Sequence, residues 1–283
     1  MLAALAGVAL FSVMDALMKR ASIDAGVYIA LLLRSFCGTA LTAPLWLLSR
    51  GRPQPGALRL HLIRSAAVAL MAALFFWGLV RIPMAEGIAL SFIAPLIALY
   101  LAALILGEKV QPRAVAASLI GFVGVVVILA ARVAERGVEP RSLWGAAAIL
   151  ASAVLYAWNL VLQRQQALIA GPLEVAVFQN LFVFLCLLPL APLLGTVPDH
   201  RLLFDITLSA VLATSALMLL SWAYGRAEAQ TLVPLEYTAF GWSALMGWLW
   251  FAEAVTWATI AGVVLIVAAC LIAARKRTEA TAV

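Results

Sequence analysis

The segment MAALFFWGLVR, residues 71–81, finds its echo 145 positions later in ALMLLSWAYGR, residues 216–226. Both are apolar runs that close on W-x-x-x-R, which brings Trp77 and Arg81 into register with Trp222 and Arg226. The same offset sets Pro44 against Pro189, Arg34 against the polar Gln179, and Glu108 against Glu253. One shift that aligns tryptophans, prolines and charges across three pairs of apolar runs marks a duplication.

Working outward from these anchors, apolar runs fall near 2–18, 26–48, 61–80, 86–106, 113–131, 142–162, 172–194, 204–224, 231–251 and 256–274. Of the 283 residues, 66% are hydrophobic and only 11% charged, with a mean hydropathy of +1.09. A water-soluble domain holds about 45–50% apolar and about 25% charged residues, so the solvent of this chain is lipid. At about 20 residues per crossing, each run is long enough to be a membrane helix. Backbone at bilayer depth must satisfy its own hydrogen bonds, and runs this long and continuous suit helices rather than barrel strands. Met1 to Met18 lacks a basic leading region and a polar cleavage region, so it reads as the first span. The longest connections, Ser49–Leu60, Arg132–Arg141 and Gly195–Leu203, leave no room for a soluble domain.

The expected fold is an all-α integral membrane protein: ten transmembrane helices as two five-helix repeats, residues 1–136 and 141–277. Five is odd, so the second copy must thread the bilayer in the opposite sense. Such inverted-topology repeats build alternating-access carriers, with the substrate near mid-membrane between the halves. With the N-terminus inside, cytoplasmic segments carry Arg50, Arg52, Arg59, Arg64, Lys109, Arg113, Arg164, Arg226, Arg275, Lys276 and Arg277. The opposite side carries Lys19, Arg20, Arg81, Arg132, Arg136, Arg141 and Arg201. That excess puts both termini in the cytoplasm.

Other classes fit less well, with a channel kept as the non-transporter alternative. No G-x-x-x-x-G-K-[ST] run supports a nucleotide-driven pump. No Lys/Arg-rich stretch interleaves with aromatics, so nucleic acid is not an expected partner. Cys37, Cys186 and Cys270 lie in apolar runs without CxxC spacing or a nearby histidine, so neither a metal nor a cofactor is expected. Gly241-Trp242-Ser243-Ala244 resembles the G-x-S-x of intramembrane proteases, but that chemistry needs a base within reach of the serine. His61 and His200 sit at or outside span ends. A channel would not need two polar layers, and no ring-forming filter is visible.

The stretch Ala85–Glu108, running into L-I-L-G-E-K, and its counterpart Ala227–Glu253, ending in W-L-W-F-A-E, resemble the two halves of the EamA family of the drug/metabolite transporter (DMT) superfamily. The opening F-S-V-M-D-A-L-M-K-R and the L-L-L-R-S of the second span fit the same family. The resemblance covers essentially the whole chain and implies a secondary transporter of small metabolites in a bacterial inner membrane. Members move amino acids, nucleosides, cofactors or toxic cations, and the YddG-type branch exports aromatic amino acids. The second copy departs by carrying Phe240 where the first has Pro95, and Ala252 where it has Gly107.

Charges at bilayer depth cost roughly 2.5–3.5 kcal/mol each on insertion scales, so each needs a partner or a wet cavity. Asp15 and Arg34, on adjacent spans at similar depth, are expected to pair across the hairpin, with Lys19 one turn beyond Asp15. Glu86 enters the fourth span from the same side. A matching layer nearer the other surface holds Tyr156, Asn159, Gln179, Asn180 and Glu236. Trp77, Tyr100, Trp158, Trp222, Tyr224, Tyr237 and Trp242 add aromatic faces able to stack on a flat substrate or attract a cation; the alternative for each tryptophan is an interfacial belt. Arg34 or Lys19 would meet a carboxylate, and Asp15 and Glu236 an ammonium or a coupling proton. The expectation is an exporter of amino acids, aromatic ones included. Uptake of a cofactor or nucleoside-like molecule, or efflux of lipophilic cations, remains open, as does a monomer or a homodimer.

Overall fold

The computed structural model describes residues 1–49, 53, 56–94, 96–98, 100–101, 112–136, 139–194, 199–226 and 235–274. Arg50, Arg52, Pro95, Gly107, Glu108, Lys109, Pro234 and Arg275–Arg277 lie outside the described residues. Every regular element described is helical: α1 (Leu2–Asp24), α2 (Val27–Leu48), α3 (Ala57–Leu79), α4 (Met84–Ser91), α5 (Pro112–Arg136), α6 (Pro140–Ile169), α7 (Pro172–Leu187), α8 (His200–Tyr224), α9 (Ala239–Phe251) and α10 (Trp257–Ala274). By length and composition α1, α2, α3, α6, α8 and the α7 segment Pro172–Leu193 can cross a membrane. Met84–Ala98, Ser118–Ala131 and Trp257–Ile272 are apolar but shorter.

Local chemistry sets the ends. Pro140 and Pro172 open α6 and α7 at the first helical positions, where a missing N–H costs nothing. Asp199 caps α8, its carboxylate accepting from the His200 N–H at 2.6 Å. Pro44 lies inside α2, whereas its counterpart Pro189 converts the end of α7 into a 3₁₀ turn over Leu188–Leu190. Ala252 closes α9 with φ 52°, a left-handed conformation where the first copy carries glycine. Helices α1, α3 and α6 extend past the hydropathy boundaries because polar residues near their ends, Lys19, His61, Arg64 and Gln166, are buried against other helices.

Helices pair antiparallel: α1 with α8, α3 with α6, α2 with α7 and α5 with α10. Exchanging each helix for the one five places along turns α1·α8 into α6·α3, α3·α7 into α8·α2, and α1·α9 into α6·α4, all of them contacts. The W-x-x-x-R motif also recurs in three dimensions. Arg81 stacks 3.5 Å over Trp77 and Arg226 4.3 Å over Trp222, each guanidinium donating back to that tryptophan's carbonyl. Exposed lysine- and arginine-capped helix ends of this kind satisfy terminal carbonyls.

Two crossings depend on glycine. A Cβ on Gly78 would lie 2.5 Å from the Gly145 carbonyl oxygen, and one on Gly124 2.7 Å from that of Gly262. Gly241, by contrast, faces open space, so it is not a close-packing glycine. Gly78→Ala should therefore force α3 and α6 apart and destabilise by roughly 1–3 kcal/mol. Gly241→Ala should be neutral or slightly stabilising. Thermal unfolding of the two purified variants in detergent separates them, and equal midpoints would contradict the packing.

A candidate substrate cavity

Where the pairs converge, the bundle encloses a cavity of about 240 Å³. Its walls are apolar: Val8, Phe11 and Met14 from α1, Val68, Met71, Ala72, Phe75 and Phe76 from α3, Ile88 and Phe92 at α4, Leu217 and Leu220 from α8, with Ala153 and Ala239. Into this surface project Ser12, Asp15, Arg34, Arg64, Ser91, Ser152, Tyr156, Asn159, Gln163, Gln179, Glu236 and Tyr237. The 145-residue offset recurs in the lining. Val8/Ala153, Phe11/Tyr156, Arg34/Gln179, Ala72/Leu217, Phe75/Leu220, Ser91/Glu236 and Phe92/Tyr237 are each separated by the same 145 residues, and both members of every pair face the cavity.

Most of the sequence-expected polar residues of both layers border this one chamber. Asp15, Arg34, Tyr156, Asn159, Gln179, Glu236 and Tyr237 line it. The expected Asp15–Arg34 pair does not close: among the described residues neither has an ion pair within 4.0 Å, and Arg34 donates instead to Met14 Sδ at 3.5 Å. Both groups border the chamber and feel each other's charge across it without a direct ion pair. Glu236 is taken up by phenols: Tyr156 Oη donates to it at 2.7 Å, and Tyr224 Oη donates to its other oxygen. Tyr224 therefore reaches the site through Glu236 and does not itself line the cavity.

The remaining candidates lie elsewhere. Lys19 is buried at the far face, the side on which α1 ends, where it bonds Glu253 and the Ile82 carbonyl at 2.9 Å. Glu253 also accepts from the Met84 N–H at 2.7 Å, so this cluster ties α1, α4 and α9 together. Glu86 is buried in the first turn of α4, where a carboxylate suits the helix dipole. Trp77 and Trp222 are 38% and 45% exposed, and Trp158 and Trp242 also face outward, as belt residues do. Tyr100 is partly exposed and outside the lining.

Arg64 was missed as a site residue because it fell at a span edge and counted as a flanking charge. It is 2% exposed, and its guanidinium donates to Asn159 at 2.9 Å, Gln163 at 3.2 Å and Gln166 at 2.5 Å, one face of α6. His61, one turn earlier, is likewise fully buried and not at a surface: Glu174 lies 3.2 Å from Nε2, Gln166 bonds Nδ1 and Phe178 stacks on the ring. Ser243, in the protease-like G-x-S-x, is buried and donates to the Phe240 carbonyl at 3.0 Å. The phenylalanine walls had a signal that went unused: shifting Tyr156 and Tyr237 by the repeat offset lands on Phe11 and Phe92.

A polar-studded, apolar chamber inside a lipid-facing helical bundle is the architecture of a small-molecule carrier. The model of the EamA-like transporter family matches residues 1–130 and again 143–275, and the chain belongs to that family. It is a multi-pass membrane protein and a transporter of small molecules rather than an enzyme. The pseudopaline exporter of Pseudomonas aeruginosa is 30% identical over 94% of this chain and 93% of its own length. The riboflavin transporter of Rhizobium johnstonii is 28% identical over 76% and 70%, and the S-adenosylmethionine uptake transporter of Rickettsia prowazekii 23% over 75% and 70%. A solved crystal structure at 22% identity superposes with a TM-score of 0.62 over 95% of this chain and 96% of that one, which shows a shared fold.

Proposed function

We propose that the protein exports small zwitterionic metabolites, amino acids including aromatic ones or molecules built from them, across a bacterial inner membrane by alternating access. Asp15 and Arg34 carry this reading. Opposite charges that line an apolar cavity without a direct ion pair offer an acceptor for an ammonium and a fork for a carboxylate. Phenylalanines around them suit an apolar or aromatic side chain. Glu236, held by two phenols, is the candidate for a coupling proton.

The helix exchange pattern, the paired lining residues and the twofold family match support two inverted repeats of five crossings each, residues 1–136 and 141–277. Arg64 and Lys19 are both buried in helices. Removing one from each side of the loop-charge tally leaves its margin unchanged, so both termini are assigned to the cytoplasm. The relative named as an exporter supports the direction.

Counterflow in proteoliposomes tests the reading. Arg34→Gln should weaken zwitterion exchange about 10–100-fold, the scale of a lost charge-assisted bond, while sparing a cationic amine that lacks the carboxylate. Asp15→Asn should do the converse. If both variants exchange amino acids like the wild type, the reading falls. A flat heteroaromatic substrate is the second reading, favoured by the phenylalanine walls and by relatives named riboflavin transporters. It would be selected if riboflavin competes for exchange and amino acids do not.

A further inference from the structure

Arg34 and Gln179 occupy equivalent positions of the two copies, on α2 and α7, and both line the cavity. Both also hold unused hydrogen-bonding capacity. Arg34 Nε and Gln179 Oε1 are buried without a hydrogen-bond partner among the described residues. The neighbouring Asn180, by contrast, donates to Thr214 Oγ1 at 3.2 Å and packs on Gly38. An unsatisfied buried polar group costs about 1–3 kcal/mol, a cost that a bound substrate group facing the cavity would remove. A half-turn of the Gln179 amide interchanges its oxygen and nitrogen, so it can present either to the chamber. Since Asn180 sits level with Gly38, Gln179 lies about five residues along α2 from Arg34, roughly 7 Å at the helical rise. That spacing fits the head and the side-chain tip of one amino-acid-sized molecule.

We propose that Gln179 forms a second subsite that reads the tail of the substrate, accepting a neutral hydrogen-bonding side chain such as a carboxamide, imidazole or indole and disfavouring an acidic one. The proposal rests on the zwitterion reading for the head group. The duplication explains its logic. A cation at both equivalent positions would suit a dicarboxylate, one acid at each end. Replacing the second cation by an amide keeps the hydrogen bond and removes the charge, so only one end of the substrate is required to be anionic.

The near-isosteric set glutamine, glutamate and leucine tests this in counterflow with purified full-length protein in liposomes. Wild type should prefer glutamine to glutamate. Gln179→Leu should lower glutamine exchange about tenfold relative to leucine exchange, the weight of one hydrogen bond, with a wild-type thermal midpoint in detergent showing that the variant is folded. Gln179→Arg should reverse the preference and admit glutamate. A glutamine:glutamate:leucine ranking that stays the same in all three proteins overturns the subsite while leaving the head-group reading intact. A wild type that exchanges none of the three overturns the head-group reading, and the subsite with it.

Discussion

Arg64→Ala will yield little folded protein, and what survives extraction will unfold far below the wild type. The guanidinium is 2% exposed and serves three amide oxygens of α6, at Asn159, Gln163 and Gln166. Truncation leaves all three acceptors in a low-dielectric site and opens a void between α3 and α6. Each stranded acceptor costs about 1–3 kcal/mol, and removing one member of a buried charged network costs about 3–5 kcal/mol. Gln166 also bonds His61, which contacts Glu174 on α7, so the loss should spread to the α3·α7 contact. Arg64→Lys should recover only part of the stability, because one ammonium cannot span three oxygens spaced over two helical turns. The measurement is the thermal midpoint of monodisperse protein in detergent. An alanine variant melting with the wild type would mean that the amides are satisfied without Arg64.

How far this site could be read from sequence depends on what kind of fact each residue represents. The offset of 145 residues is a property of the chain, and it carried through to matching stacks at Trp77/Arg81 and Trp222/Arg226. The polar residues in the chamber stood out because charge and amides at bilayer depth are expensive. Partnership is a different matter, since it depends on how each helix is rotated about its axis. A few tens of degrees decide whether Asp15 meets Arg34 or faces a cavity, and hydropathy carries no such angle. The aromatics show the same limit. Residue type favoured the tryptophans, yet the chamber walls are phenylalanines, and Trp77 and Trp222 lie on the outside. Arg64 and His61 were hidden by span boundaries. A window that starts the third helix at residue 61 rather than at Ala57 turns a buried cation into an apparent loop charge.

Lys19→Met should be the other severe change, and a double variant can show why. The Lys19 and Glu253 side chains are 5% and 18% exposed, and their ion pair sits where α1, α4 and α9 meet. Methionine preserves most of the volume and keeps an apolar face toward the Phe251 ring, which lies 4.9 Å from the ammonium. It leaves Glu253 with the Met84 N–H as its remaining donor among the described residues and the Ile82 carbonyl without its lysine. Breaking a buried pair from one side costs about 3–5 kcal/mol, with the lower end expected here because Glu253 is partly exposed and keeps that N–H. In Lys19→Met/Glu253→Gln the stranded charge is gone, while the amide oxygen can still accept from Met84. The double variant should therefore unfold at a higher temperature than Lys19→Met alone. Strictly additive losses across the cycle would show that Lys19 acts through packing and not through its charge. Ala252 sharpens the expectation. Its left-handed backbone, φ 52°, lies next to Glu253, whose own N–H bonds the Gly247 carbonyl at 3.1 Å. A left-handed turn and an ion pair thus meet at one junction, so losing the pair should also loosen the turn.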